Sequence, residues 1–191
     1  MTEPWGAEQE DKLRAACVPG GPGPTRTDGP VRLADYDATW PAAFEREAAR
    51  IRSVLGDRVP LLEHVGSTSV PGLAAKPVID IVLVVADPAD EASYVAPLET
   101  AGYRLRIREP EWHEHRLLNG PDTDDINLHV FPPASPEIDR TLRFRERLRS
   151  DAAERELYER AKRELAARSW TYMQQYADAK SGVVAEILLR S

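Results

Sequence analysis

Residues 64–85 constrain this chain more than any other stretch. Gly66, Ser67, Thr68, Ser69 and Gly72 form a turn-rich segment ahead of an apolar, largely β-branched run. That run, Val78, Ile79 and residues 81–85, is interrupted only by Asp80. A nearly unbroken run of this kind reads as a strand buried on both faces, where packing alone does not call for a carboxylate. The sequence therefore predicts a cation for Asp80 to meet. Gly66 and Gly72 permit a tight or positive-φ backbone, and the hydroxyls and backbone N–H groups between them suit an anion. Metal on the carboxylate and phosphate on the turn is the simplest joint expectation.

Along the rest of the chain, residues 1–30 are expected to be a flexible tail, with at most a short helix near residues 7–16. The PGGPGP run at 19–24 and the DGP run at 28–30 cannot sustain regular structure. A short strand is expected at 31–33, then a helix with Thr39 as N-cap, Pro41 in its first turn and Gly56 past its end. Strands are predicted at 61–65, 78–85, 103–107, 116–118 and 126–131, with a reversal at 119–122 and a helix around Tyr94, Val95 and Leu98. Three helices should follow from Ser135 onward. The fold class is α/β: a mixed sheet of about five strands with flanking helices and a C-terminal helical section, in one domain over residues 31–191.

The formal charge of −7 gives no general attraction to nucleic acid or acidic membrane, so neither is expected as a partner. With one cysteine, no internal disulfide or thiolate cluster can form. No secretion signal or membrane span is legible, so a cytoplasmic protein is expected. A P-loop and a dinucleotide-binding glycine motif are both absent. A small molecule is the expected substrate.

The segment HVGSTSVPGLAAKPVIDI at 64–81 resembles the signature of the nucleotidyltransferase superfamily, and more closely that of its GrpB branch. The resemblance continues in YDATWP at 36–41, NLHV at 127–130, FRERL at 144–148 and YADAK at 176–180, covering roughly residues 31–190. It implies a nucleotidyltransferase-like enzyme using a nucleoside triphosphate and a divalent metal. The resemblance also implies that GrpB-like domains occur fused to dephospho-coenzyme A kinase, and this chain is expected to carry only the GrpB-like part.

The superfamily sets two carboxylates at i and i+2 on one strand face, with a third on a neighbouring strand. Here Asp80 fills the first position and Val82 the second, which puts the two-metal arrangement in question. The third position falls on the strand carrying Asp125, Asn127 and His129. His113 and His115, at i and i+2, would put two imidazoles on one strand face, and imidazole suits a transition metal. Asp80, His113, His115 and His129 are thus the expected metal ligands, for magnesium or a histidine-favoured transition metal. Asp80, His115 and His129 are the expected catalytic groups.

Gly66, Ser67, Thr68, Ser69, Lys76, Arg106 and Asn127 are the expected substrate and nucleotide contacts. Arg104, Arg106 and Arg108 alternate on what would be one strand face, forming either a phosphate clamp or a solvated surface. His64 reads as a structural histidine, and Ser67 lacks the surroundings of a nucleophile. Two other readings stay open: a catalytically degenerate nucleotide- or small-ligand-binding protein, and a biosynthetic enzyme using the same cleft without nucleotidyl transfer.

Overall fold

Period-two and period-3.6 patterns sort the chain into strands and helices. The computed structural model describes residues 5–121 and 125–190. Helix α1 (Ala7–Ala16), strand β1 (Arg26–Gly29) and helix α2 (Trp40–Leu55) come first, followed by β2 (Leu61–Val65) and β3 (Ile79–Val84). Next are α3 (Glu91–Thr100), β4 (Arg104–Glu109), β5 (His115–Asn119) and β6 (Ile126–Phe131). The C-terminal part comprises α4 (Pro136–Ser150), α5 (Ala152–Ala166), β7 (Trp170–Tyr172), α6 (Met173–Ala179) and α7 (Ser181–Leu189).

The central sheet has five strands in the order β2-β3-β6-β5-β4. Only β3 and β6 run parallel; the other pairs are antiparallel. β3 lies between β2 and β6 and is covered on both faces, by α2 and α3 on one and by α4 on the other, which explains its run of apolar residues. Side chains alternate across the sheet. Leu62, Ile79, Ile81, Leu83, Leu118 and Leu128 pack on one face beneath α2 and α3, with Ile51, Leu55, Tyr94 and Leu98. The opposite face carries Val65, Asp80, Val82, Asn127 and His129, whose register pairs Asp80 with Asn127 and Val82 with His129. The C-terminal helices lie on that side: Leu148, Tyr158 and Ile187 form a second core with Val70 and Leu73.

Four expectations need correction. Residues 1–30 are not a tail devoid of strand structure: β1 pairs antiparallel with β7, and Val18 N–H donates to the Arg106 carbonyl at 2.9 Å. The third C-terminal helix is instead β7, α6 and α7, because β1 holds Trp170 and Tyr172 extended. No strand forms at 31–33; a single bridge joins Ala34 to Ala75. The Thr39 hydroxyl does not cap α2. It donates to Asp37 Oδ1 at 2.7 Å, and the Thr39 N–H donates to the same oxygen at 2.8 Å. The reversal expected at 119–122 extends beyond the described residues, as do residues 1–4 and Ser191.

Candidate active site

β3 and β6 place Asp80, Asn127 and His129 side by side. Asn127 Nδ2 donates to Asp80 Oδ1 at 2.9 Å, and His129 Nε2 lies 3.8 Å from the same oxygen, at ion-pair distance. Asn119 of β5 donates in turn to Asn127 Oδ1 at 3.1 Å. Behind His129, its Nδ1 meets His115 Nε2 at 3.1 Å, and His115 Nδ1 meets Glu109 Oε2 at 2.7 Å. A continuous chain of polar contacts therefore runs from Glu109 through both imidazoles to Asp80.

The turn entering β3 faces this group. Gly66 has φ +68°, and a Cβ there would lie 2.3 Å from Asp80 Oδ2, so both the backbone conformation and the close approach require glycine. Ser67 follows and hydrogen-bonds Tyr158, whose hydroxyl is pushed up to about 12 by burial against that contact. Desolvation raises the Asp80 carboxyl, but His129, Asn127 and Lys76 together hold it below the ordinary carboxylate range.

α5 and α6 form the facing wall of a cleft of about 330 Å³. Lys162 is only 2% exposed; its ammonium donates to the Ala74 carbonyl and lies 4.8 Å over the Tyr158 ring. Burial, with the charge of Lys180 adding to it, lowers Lys162 to about 7. Lys180 stands 4.7 Å over the Tyr176 ring and is also lowered by burial, opposed by the charge of Asp80. The Tyr176 ring lines the cleft, and its buried hydroxyl has no hydrogen-bond partner among the described residues. With Lys76 and Arg106, these lysines give the described lining four cationic side chains against one carboxylate, Asp80.

Of the residues expected from sequence, Asp80, His129, Asn127, Ser67, Thr68, Lys76 and Arg106 line this cleft. Thr68 is committed within the protein: its hydroxyl donates to Val78 O at 3.0 Å and contacts His64 Nε2 at 3.1 Å. Ser69 is buried away from the lining; its hydroxyl donates to Gly66 O at 2.6 Å, and its carbonyl accepts from Arg149. His64 is structural as expected, stacked on Phe44 at 5.0 Å on the opposite sheet face.

His115 is buried and reaches the cleft only through His129. His113 is exposed in the turn at 110–114 with φ +53°, so it does not share a strand face with His115. Pro110 opens that turn and ends β4 before either histidine. The arginine alternation also fails. A bulge between Leu105 and Ile107 shifts the register, and Arg108 turns to the other face, where Glu91 accepts from it twice at 2.7 Å.

The expected metal set fits poorly. Among the described residues no group of three or more His, Cys, Asp and Glu is arranged to hold a metal ion. His113 is elsewhere, and both nitrogens of His115 face protein partners. Val82 is 2% exposed beneath Ile138 and Leu142 of α4, leaving no place for a second carboxylate ligand. Asp80 and His129 alone are too few donors for the protein to hold an ion.

Glu109, Tyr158, Lys162, Tyr176 and Lys180 were not singled out as site residues from the sequence. A signal existed for two of them, since Tyr176 and Lys180 bound the YADAK motif at i and i+4. Lys162 gave none, because it sits in a charged stretch that reads as a solvated helix face.

The chain matches the GrpB protein family over residues 30–190. It is 60% identical over 161 residues to a UPF0157 protein of Halalkalibacterium halodurans, covering 84% of this chain and 82% of that protein. A UPF0157 protein of Streptomyces coelicolor is 42% identical over 191 residues, all of this chain and 97% of the relative. The solved structure of conserved protein GrpB from Enterococcus faecalis superposes with a TM-score of 0.67 at 29% identity, covering 82% of this chain and 99% of that one. By fold, by site-bearing motif and by extent of match, the chain belongs to the GrpB family.

Proposed function

We propose that this chain is a nucleotidyltransferase-like enzyme whose cleft takes a phosphate-bearing small molecule, with a nucleoside triphosphate as the donor. The observation that carries this reading is the cleft lining: Lys76, Lys162 and Lys180, with Arg106 toward the β4 edge, line one cleft together with Ser67 and Asp80, in a protein of net charge −7. Cations gathered in a cleft against the overall charge mark a place for an anion.

In the proposed reaction an acceptor hydroxyl attacks the α-phosphorus and passes its proton to His129 Nε2, while the bond to pyrophosphate breaks. The lysines neutralise charge on the departing group. His115 and Glu109 orient His129 through Nδ1. Val82 favours a second reading, in which His129, oriented by His115 and Glu109, serves proton transfer on a phosphorylated substrate without nucleotidyl transfer.

Calorimetry with each nucleoside triphosphate, with and without magnesium, tests the binding step. Saturable binding that weakens when Lys180 is replaced by Met is the expected result; no binding at millimolar ligand overturns the reading. Release of pyrophosphate in the presence of candidate acceptors separates the first reading from the second.

A further inference from the structure

We infer that residues 5–29 are a specificity strap, which restricts the cleft to a phosphorylated small molecule bearing an uncharged body of about the size of a nucleoside. This rests on the reading of the cleft as a phosphate site. The segment precedes the stretch matched by the family at residues 30–190, yet it supplies Leu13, Cys17, Gly23, Pro24 and Thr25 to the cleft lining.

The strap is tied to both walls. On the sheet side, Cys17 bridges Ile107, and Val18 N–H donates to Arg106 O at 2.9 Å. The bulge at Arg106 frees its side chain to donate to Gly23 O at 3.1 Å. On the helical side, Met173 N–H donates to Thr25 O at 2.9 Å, and Arg14 donates to the Tyr172 hydroxyl at 2.7 Å. Gly20 and Gly23, with φ +76° and +72°, let the chain turn between these anchors. A polypeptide fastened at both sides of a cleft closes its mouth against a polymer end.

The chemistry of the lining changes along the cleft. Ser67, Lys76, Asp80, Lys162 and Lys180 are polar or charged, whereas the strap contributes Leu13, Cys17, Pro24 and Thr25 beside Ile107, Leu117 and Met173, with Arg106 the charged side chain at that end, where it donates to Gly23 O. An occupant therefore sets its phosphates by the lysines and its uncharged portion against the strap. Tyr176, whose buried hydroxyl lacks a partner among the described residues, lies on the lining between α6 and the core.

Cys17 is the chain's single cysteine, so it reports on the strap without engineering. The full-length protein is treated with a maleimide at pH 8 in the presence of ATP, of tripolyphosphate or of neither. ATP should slow modification about tenfold or more, while tripolyphosphate, which has no body to reach the strap, should protect little. Protein already modified at Cys17 should bind ATP about tenfold more weakly and still bind tripolyphosphate, which also shows that the modified chain is folded. If both ligands bind but ATP neither protects Cys17 nor loses affinity on modification, the strap inference is overturned and the phosphate reading stands. If neither ligand binds, both fall. An oligoribonucleotide that binds as tightly as ATP and protects Cys17 equally would replace the small molecule with a polymer end.

Discussion

Asp80 combines two opposed demands. It stands in a strand whose neighbours exclude water, yet it is kept ionised by His129, Asn127 and Lys76. Gly66 makes that possible by leaving no Cβ in the space that Asp80 Oδ2 occupies. Gly66→Ala should therefore displace the carboxylate and impose a positive φ on alanine, lowering stability by about 1–3 kcal/mol in denaturant unfolding. Stability equal to wild type would show that the turn can relax.

His64 offers a second test at the same scale. Burial drives it from 6.5 down to about 4, with the charge of Asp80 opposing and Arg149 and Arg145 reinforcing the shift. Its folded value is depressed, so the unfolded chain binds more protons between about pH 6.5 and 4. Stability should fall as pH drops through that window, by about 3 kcal/mol from this residue. Urea titrations at pH 7 and pH 4.5, wild type against His64→Gln, check the sign; an unchanged acid dependence in the variant would remove His64 as its source.

At the level of elements, α4 decides what position 82 can be. Superfamily resemblance marks it as the place for a second carboxylate, but Ile138 and Leu142 cover it together with Val65 and Phe131. A carboxylate introduced there sits cross-strand from Glu63 and under Ile138 and Leu142, where it loses its water. Val82→Asp should destabilise the protein by about 3 kcal/mol or more and add no magnesium affinity, as read by thermal unfolding and magnesium titration. Tighter magnesium binding in a stably folded variant would mean that α4 lifts away from β3. The bulge in β4 acts at the same scale: one extra residue sends Arg106 to the cleft and Arg108 to Glu91, dividing an apparently uniform arginine row.

For the whole molecule, an acidic surface surrounds a locally cationic cleft. Lys162 holds its proton only up to about pH 7 because burial disfavours the ammonium. An anionic ligand stabilises the charged form, so binding should take up protons above that pH, and affinity for a triphosphate should weaken as pH rises from 6.5 to 8.5. Calorimetry in buffers of differing ionisation enthalpy measures that uptake directly. Lys162→Arg keeps its charge across the range and should flatten the profile; a slope identical to wild type would assign the titration to another group. Among the described residues no helix is long and apolar enough to cross a membrane.

The strands of the central sheet were legible because their signals are local. A β-branched run, period-two alternation and a glycine turn are properties of neighbouring residues, so Asp80, Asn127 and His129 could be assigned to one face before any packing was known. Their meeting across β3 and β6 follows from that alternation once the strands pair. His113 was misplaced because the turn opened by Pro110 competes with strand periodicity over only a few residues. Lys162 belongs to a helix whose charged sequence looks solvated until α5 is laid against the sheet side, and Lys180 stands at the junction of α6 and α7. Val82 is apolar for the benefit of a helix more than 50 residues later, and residues 5–29 acquire order from β4 and β7. Those assignments depend on contacts distant in sequence: local residue chemistry determined the strands and the carboxylate that faces the cleft, while burial by remote elements decided which cations and which wall make the cleft.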